Sequence, residues 1–347
     1  MKARVAINGF GRIGRITLRI IAKRGWPVDV VAINDPFLDP ATAAHLVRYD
    51  TVYGRAPFAV GARDGSLVVE GRTIPFLAEK EPGNLPWAQH KVDVVIESSG
   101  VFTDPAKAEA HLTAGARRIV LSAPPKGEDK GGVLQILWRV NEGQFLEKGK
   151  PPIVSAASCT TNSLGPVVKV LHDAFGIEHG FLTTVHGYTA DQRLVDAPHK
   201  DLARARAAAA NIVPTSTGAA RSIPAIFPEL EGKMDGIAMR VPVPAGSVSD
   251  FTARLARPAG ASDKEAVAKV NAAFVEAAKG PLGEVMLVTP DPIVSSDVLG
   301  EDHSCVVATA YTMALRKDPS VVKVVAFYDN EWGYAARLVD VATFVAT

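Results

Sequence analysis

Apolar positions in the first thirty-five residues switch between two periods. Residues 4–7 form a short β-rich run. Ile13, Ile16 and Ile20 then recur at helical spacing, and Leu18 and Ile21 widen that face, so a helix is predicted over 15–24. Residues 28–33 are a continuous apolar strand ending in Asn34-Asp35. Two more apolar strands are predicted at 92–97 and 118–122, both ending in small polar residues, with a helix over 106–114 between them. A hairpin is predicted over 65–74, with 67–70 and 73–76 flanking Gly71-Arg72.

Between the first strand and its helix stands Gly9-Phe10-Gly11-Arg12-Ile13-Gly14. A bare GxGxxG is a weak signal and fits any glycine turn in a βαβ unit. Here it follows a strand and opens a helix, and an acid lies about 20 residues beyond, which is the dinucleotide fingerprint. Gly9 permits the tight turn, Gly11 lets backbone N–H groups approach a pyrophosphate, and Gly14 lets helix and strand pack closely. The helix N-terminus faces the phosphates with free donors. Asp35 can accept from both adenosine ribose hydroxyls and would repel a 2′-phosphate, which favours NAD, though NADP use stays open. The fold class expected is α/β: a Rossmann-type doubly wound parallel sheet.

The second half has another character. After Pro151-Pro152 comes a short strand at 153–155, then Ser158-Cys159-Thr160-Thr161-Asn162. Leu164, Val167, Val168 and Leu171 mark a helix over 164–175. Cys159 therefore sits at or just before a helix N-terminus, where the dipole and free N–H groups favour a thiolate. A buried packing cysteine is the plain alternative. A strand at 181–185 ends in His186, whose imidazole could take a thiol proton. The pattern does not place the two side by side. The Ala-rich stretch 203–210 looks helical, and Leu338, Val341, Ala342 and Val345 mark a last helix over 331–345.

Composition narrows the class. The 347 residues suggest two domains. Apolar residues make up 47% and charged ones 22%, so sizeable cores fit and extensive disorder does not. A net charge of +1 gives no global pull toward nucleic acid or an anionic membrane. The two cysteines, Cys159 and Cys305, form neither a disulfide framework nor a thiolate metal site, so no metal is expected and a reducing compartment is. Residues 1–10 lack the features of a signal peptide, and no apolar run reaches membrane-spanning length. The expected location is cytoplasmic.

Nearly the whole chain resembles the phosphorylating, glycolytic type of glyceraldehyde-3-phosphate dehydrogenase. The resemblance rests on Ile7-Asn8-Gly9-Phe10-Gly11-Arg12-Ile13-Gly14-Arg15, Ser158-Cys159-Thr160-Thr161-Asn162 and Thr183-Thr184-Val185-His186-Gly187-Tyr188-Thr189. It also rests on 201–206, Pro214-Thr215-Ser216-Thr217-Gly218-Ala219-Ala220, Met239-Arg240-Val241-Pro242 and Tyr328-Asp329-Asn330-Glu331-Trp332-Gly333-Tyr334. The resemblance implies Cys159 as nucleophile and His186 as base. It implies Thr189 and Arg240 for the substrate phosphate, and Ser158, Thr160, Arg206, Thr217 and Gly218 for the substrate or inorganic phosphate. It places Arg12 and Ile13 at the cofactor pyrophosphate, Asp35 at the ribose, Asn330 at the nicotinamide amide, and Ser122 among cofactor contacts. Lys80 stands where the family often has Arg. The implied reaction is NAD-dependent oxidation of glyceraldehyde 3-phosphate to 1,3-bisphosphoglycerate through a hemithioacetal and thioester on Cys159. Residues 187–211 look like the loop that lines a neighbouring subunit's cofactor site, which implies a homotetramer with no need of nucleic acid or membrane.

By the same resemblance, residues 1–158 and 331–347 make the NAD-binding domain. Residues 159–330 make an α+β catalytic domain with a mostly antiparallel sheet. Several positions depart from the usual pattern. Ser163 replaces a frequent cysteine, Ala156 an asparagine, and Ala197-Pro198 a Leu-Pro; Ala245-Gly246 replaces Asn-Val, and 131–139 is longer and more apolar. An erythrose-4-phosphate dehydrogenase shares the fold and nucleophile. An NAD-responsive RNA-binding role has the basic stretch 193–206 as its only hint.

Overall fold

The computed structural model describes residues 2–127 and 132–347. Gly131, the start of the divergent 131–139 segment, lies outside the described residues. Contacts divide the chain into one unit running to Ser158 together with Ala335–Thr347, and a second unit, Cys159–Tyr334. The later division falls inside the last helix, Trp332–Val345.

Among the described residues the first unit holds a nine-stranded sheet. Its spatial order is Leu134–Gln135, Ile153–Ser155, Arg118–Leu121, Val94–Glu97, Arg4–Asn8, Asp29–Asn34, Arg72–Leu77, Ser66–Val69 and Val60–Arg63. The first seven run parallel, and the last two pairings, of Ser66–Val69 with Arg72–Leu77 and with Val60–Arg63, are antiparallel. The chain starts mid-sheet at Arg4–Asn8, winds outward to Arg72–Leu77, and returns on the other side at Val94–Glu97. That reversal is a topological switch point, where such sheets bind ligands at the carboxyl ends of the strands. Parallel strands covered on both faces must be apolar throughout, and Val5, Ala6, Ile7, Val94, Val95 and Ile96 are all fully buried.

The helix after the first strand spans Arg12–Lys23, starting three residues before the apolar period suggests. The predicted hairpin forms, but its turn is Glu70-Gly71 rather than Gly71-Arg72. Both residues have positive φ, 50° and 78°, as a two-residue turn matched to strand twist requires. The helix predicted over 106–114 is broken into Pro105–Ala108 and Ala110–Thr113.

The second unit carries an eight-stranded mixed sheet. Its order is Val213–Ser216, Met234–Val241, Ile177–Gly187, Ser247–Leu255, Asp318–Tyr328, Cys305–Ala308 and Met286–Thr289, with Met313–Leu315 paired to Asp318–Tyr328. Five strand pairs are antiparallel and two parallel. The helix Cys159–Phe175 buries Leu164, Val167, Val168 and Leu171 as its period requires. Ser163, also on its buried side, sits 3.0 Å from Ser249 Oγ of the sheet. The stretch 203–210 is not an α-helix: only Ala208–Ala210 forms a 3-10 turn. Carboxylates bind this backbone instead. Asp201 accepts from the N–H of Ala203 and Arg204, and Asp196 from that of Ala207. Among the described residues no helix is long and apolar enough to cross a membrane.

Candidate active site

Cys159 is the first residue of its helix. Its side chain keeps partial exposure, whereas Cys305 is buried in a strand; both are free. The strand Ile177–Gly187 brings His186 to it, with Nε2 3.4 Å from Sγ. On the far side of the ring, Nδ1 lies 2.7 Å from the carbonyl oxygen of Gly187. Only a protonated Nδ1 can make that bond, so the neutral ring presents Nε2 as an acceptor toward the thiol. The next strand is parallel and in register, with Arg240 opposite His186. Arg240 Nη1 lies 3.0 Å from Nδ1, a proximity between two donors that acts through charge alone. The same Nη1 donates to Gly187 O at 3.2 Å and to Thr189 Oγ1 at 3.4 Å.

Burial penalises both charges taken singly. It pushes the Cys159 thiol up, while Arg240 pulls it partly back. Burial, then Arg240, holds His186 down to about 3. The backbone N–H groups of Cys159 and Thr160 at the helix N-terminus also lower the thiol, as its position leads one to expect, but burial outweighs them. Moving the proton from Sγ to Nε2, however, creates both charges together, in contact, with the guanidinium and the first-turn amides on the thiolate's side. Sγ and Nε2 thus exchange one proton as a pair.

Three buried hydroxyls lock this geometry. Tyr328 Oη lies 2.8 Å from Thr160 Oγ1 and 2.8 Å from Thr184 Oγ1, joining the Cys159 helix to the His186 strand. Burial pushes the Tyr328 phenol well up, so it stays neutral. Nothing in the spacing of 160, 184 and 328 signals this triad. Thr160 turns its hydroxyl inward to it.

The anion-binding candidates separate. Arg240 Nε is buried without a hydrogen-bond partner among the described residues, an arrangement that an incoming anion's oxygens would relieve. Thr189 stands beside it. Thr217 accepts from Ala219 N–H, and Gly218 caps a single helical turn. Ser158, next to Cys159 in the chain, is partly buried. Arg206 is exposed and paired with Asp196 at 2.8 Å, and no hydrogen bond joins it to the Cys159 group.

The first unit presents a cradle that fits a dinucleotide. Gly9 has φ +87°, and a Cβ there would lie 2.3 Å from the backbone of Ser99. A Cβ on Gly14 would lie 2.3 Å from Gly9 O, whereas one on Gly11 would point into open space. No side chain caps the helix at Gly11, and the first turn of a helix is where backbone N–H groups take up phosphate. The Arg12 side chain is held by Asp50 at 2.6 Å. Asp35 accepts from the N–H of Phe10 and Phe37, anchoring its carboxylate beside the turn. Lys80 is exposed, and Ser122 N–H donates to Glu97 O. Below the turn, buried Glu97 accepts from Asn8, from Ser99 N–H and Oγ, and from His111, whose other nitrogen accepts from Trp87 Nε1 at 2.9 Å. In the second unit Asn330 Oδ1 accepts from Ser247 Oγ at 2.8 Å, fixing its amide. Among the described residues no His, Cys, Asp or Glu group could hold a metal ion.

Known proteins repeat this division. Residues 3–105 match the family described as Glyceraldehyde 3-phosphate dehydrogenase, NAD binding domain. Residues 158–330 match Glyceraldehyde 3-phosphate dehydrogenase, C-terminal domain. The chain is 49% identical over 347 residues to glyceraldehyde-3-phosphate dehydrogenase 2 of Streptomyces arenae, covering 100% of this chain and 99% of that one. It is 47% identical over 345 residues to glyceraldehyde-3-phosphate dehydrogenase 2 of Streptomyces avermitilis, with 99% of each covered. It is 48% identical over 352 residues to the glyceraldehyde-3-phosphate dehydrogenase of Mycolicibacterium smegmatis, again with 99% of each covered. The paired thiol and imidazole, the glycine cradle and full-length similarity converge: the chain belongs to the glyceraldehyde-3-phosphate dehydrogenase family.

Proposed function

We propose that this protein oxidises glyceraldehyde 3-phosphate to 1,3-bisphosphoglycerate with NAD and inorganic phosphate. The observation that carries the reading is the Cys159–His186 contact with Arg240 and Thr189 beside it. A thiol nucleophile, a base with its proton-accepting nitrogen facing it, and a buried guanidinium suit an aldehyde that bears a phosphate.

Bound NAD, held by the Gly9–Gly14 turn, Asp35 and Asn330, supplies the hydride acceptor. The residues of this chain do the rest. His186 Nε2 takes the thiol proton, and Sγ attacks the aldehyde carbon to form a hemithioacetal. The backbone N–H of Cys159 stabilises the developing oxyanion, a kind of contact worth about 3 kcal/mol in comparable sites. His186 gives its proton to that oxygen, which completes the hemithioacetal, and takes it back as the hemithioacetal is oxidised to a thioester. An oxygen of inorganic phosphate attacks the thioester carbonyl, the carbon–sulfur bond breaks, and acyl phosphate leaves with Cys159 restored. Thr189 and Arg240 hold the substrate phosphate. Ser158, Thr217 and Gly218 line the place of the attacking phosphate; Thr160 supports it through its bond to Tyr328, and Arg206 joins them on leaving Asp196.

The protein works as a homotetramer in a reducing, cytoplasmic setting on this reading. Leu194, Val195 and Leu202, in the long loop after His186, are 81%, 68% and 82% exposed and call for cover by another copy. The deciding assay follows NADH formation from glyceraldehyde 3-phosphate with and without inorganic phosphate, with erythrose 4-phosphate and NADP as comparisons. Sustained turnover is expected only with phosphate, fastest with the triose and NAD. Turnover indifferent to phosphate would sink the reading.

A further inference from the structure

We propose that Gln192 is a positioning residue that gives this site its preference for a phosphorylated aldehyde; the proposal rests on the role of Thr189 and Arg240 proposed above. Gln192 closes the turn that follows the base. Its N–H donates to Thr189 O at 2.9 Å, and its side-chain Oε1 accepts from Thr189 N–H at 3.3 Å. One residue thus holds both backbone groups of Thr189. That hold sets Thr189 Oγ1 3.4 Å from Arg240 Nη1. Asp191, inside the same turn, is tied to Arg204 and lies 3.6 Å from His199, so the turn is anchored on both sides.

The side chain is an expensive way to make one bond. Gln192 is 8% exposed, and its Nε2 is buried with no partner among the described residues. A buried amide donor without a partner is destabilising. Packing alone would be served better by an apolar side chain of that length. The amide is explained by what its acceptor half does: it fixes a backbone segment whose hydroxyl faces the guanidinium. Gln192 itself need not touch the substrate.

Steady-state kinetics of full-length Gln192→Met test this, with glyceraldehyde 3-phosphate and unphosphorylated glyceraldehyde as the two aldehydes. Because the variant removes an orphaned donor, its melting temperature should stay near that of the wild type. The specificity constant for the phosphorylated aldehyde should fall about tenfold, mostly through KM, the size of one lost charge-assisted contact. That for glyceraldehyde should change less than about twofold. In Thr189→Ala the further change Gln192→Met should cost nothing more, because Gln192 acts through Thr189. Equal losses for both aldehydes, no loss for either, or full additivity with Thr189→Ala would each overturn the proposal. Should the methionine variant fail to fold, Gln192→Leu takes its place in the same comparison. A wild-type enzyme with no preference for the phosphorylated aldehyde would instead overturn the functional reading beneath it.

Discussion

At the scale of single residues the chemistry depends on which proton sits where. Gly187 O fixes the His186 tautomer, and Cys159 faces the nitrogen left free. Cys159→Ser should nearly abolish turnover while NAD affinity stays within about twofold of wild type, since a hydroxyl replaces the thiolate outside the glycine cradle. Turnover near wild type would refute the nucleophile assignment. His186→Asn leaves the Cys159 thiol with no imidazole to accept its proton. Iodoacetamide labelling of Cys159 at neutral pH should slow about tenfold and recover only at higher pH. An unchanged labelling profile would remove His186 from the base role. The same histidine makes stability depend on acid. Its folded value is about 3, below the unfolded value of 6.5, so the unfolded chain binds more protons between them. The associated stability is intact above about 6.5 and is lost as pH falls toward about 3. His186→Asn should flatten the melting temperature across that range.

At the scale of elements, strand register and turn geometry assemble the site. Arg240 meets His186 because two parallel strands pair in that register. A slip of one residue in either strand would turn that strand's side chain to the opposite face and part the pair. Tyr328→Phe should destabilise the protein by about 1–3 kcal/mol by leaving two buried threonine hydroxyls without their shared partner, read as a lowered midpoint in urea. Gly9→Ala should weaken NAD binding at least about tenfold, because its Cβ would enter the backbone of Ser99 at a positive φ. Unchanged calorimetric affinity would show that the cradle yields. Much of this scale is legible in the residues. The first strand, glycine turn, helix and second strand follow from period and punctuation, as does Cys159 at a helix start. What stays hidden depends on long-range pairing. His186 and Arg240 are 54 positions apart, and Thr160 and Tyr328 are 168 apart. The Ala-rich stretch misleads for a local reason: Asp196 and Asp201 draw its N–H groups away from helical partners, and short isolated helices are marginal.

At the scale of the molecule, the exposed apolar residues after His186 bear on assembly. Light scattering should find a particle about four times the 36.7 kDa chain, as the proposed homotetramer requires. Leu202→Lys should shift it toward smaller species, with activity falling alongside because that loop begins at the base. A monomer with full activity would remove the loop from any role in assembly.

Ser163 has a consequence for the fate of the acyl group. It lies one helical turn after Cys159, bonded to Ser249, and the other cysteine, Cys305, is shut inside a strand. In the proposed mechanism, an acyl group on Cys159 has no neighbouring thiol in the helix to which it could migrate. A thioester stranded without phosphate waits for a nucleophile from outside, so the composition of the surrounding solution sets the partition between transfer and hydrolysis.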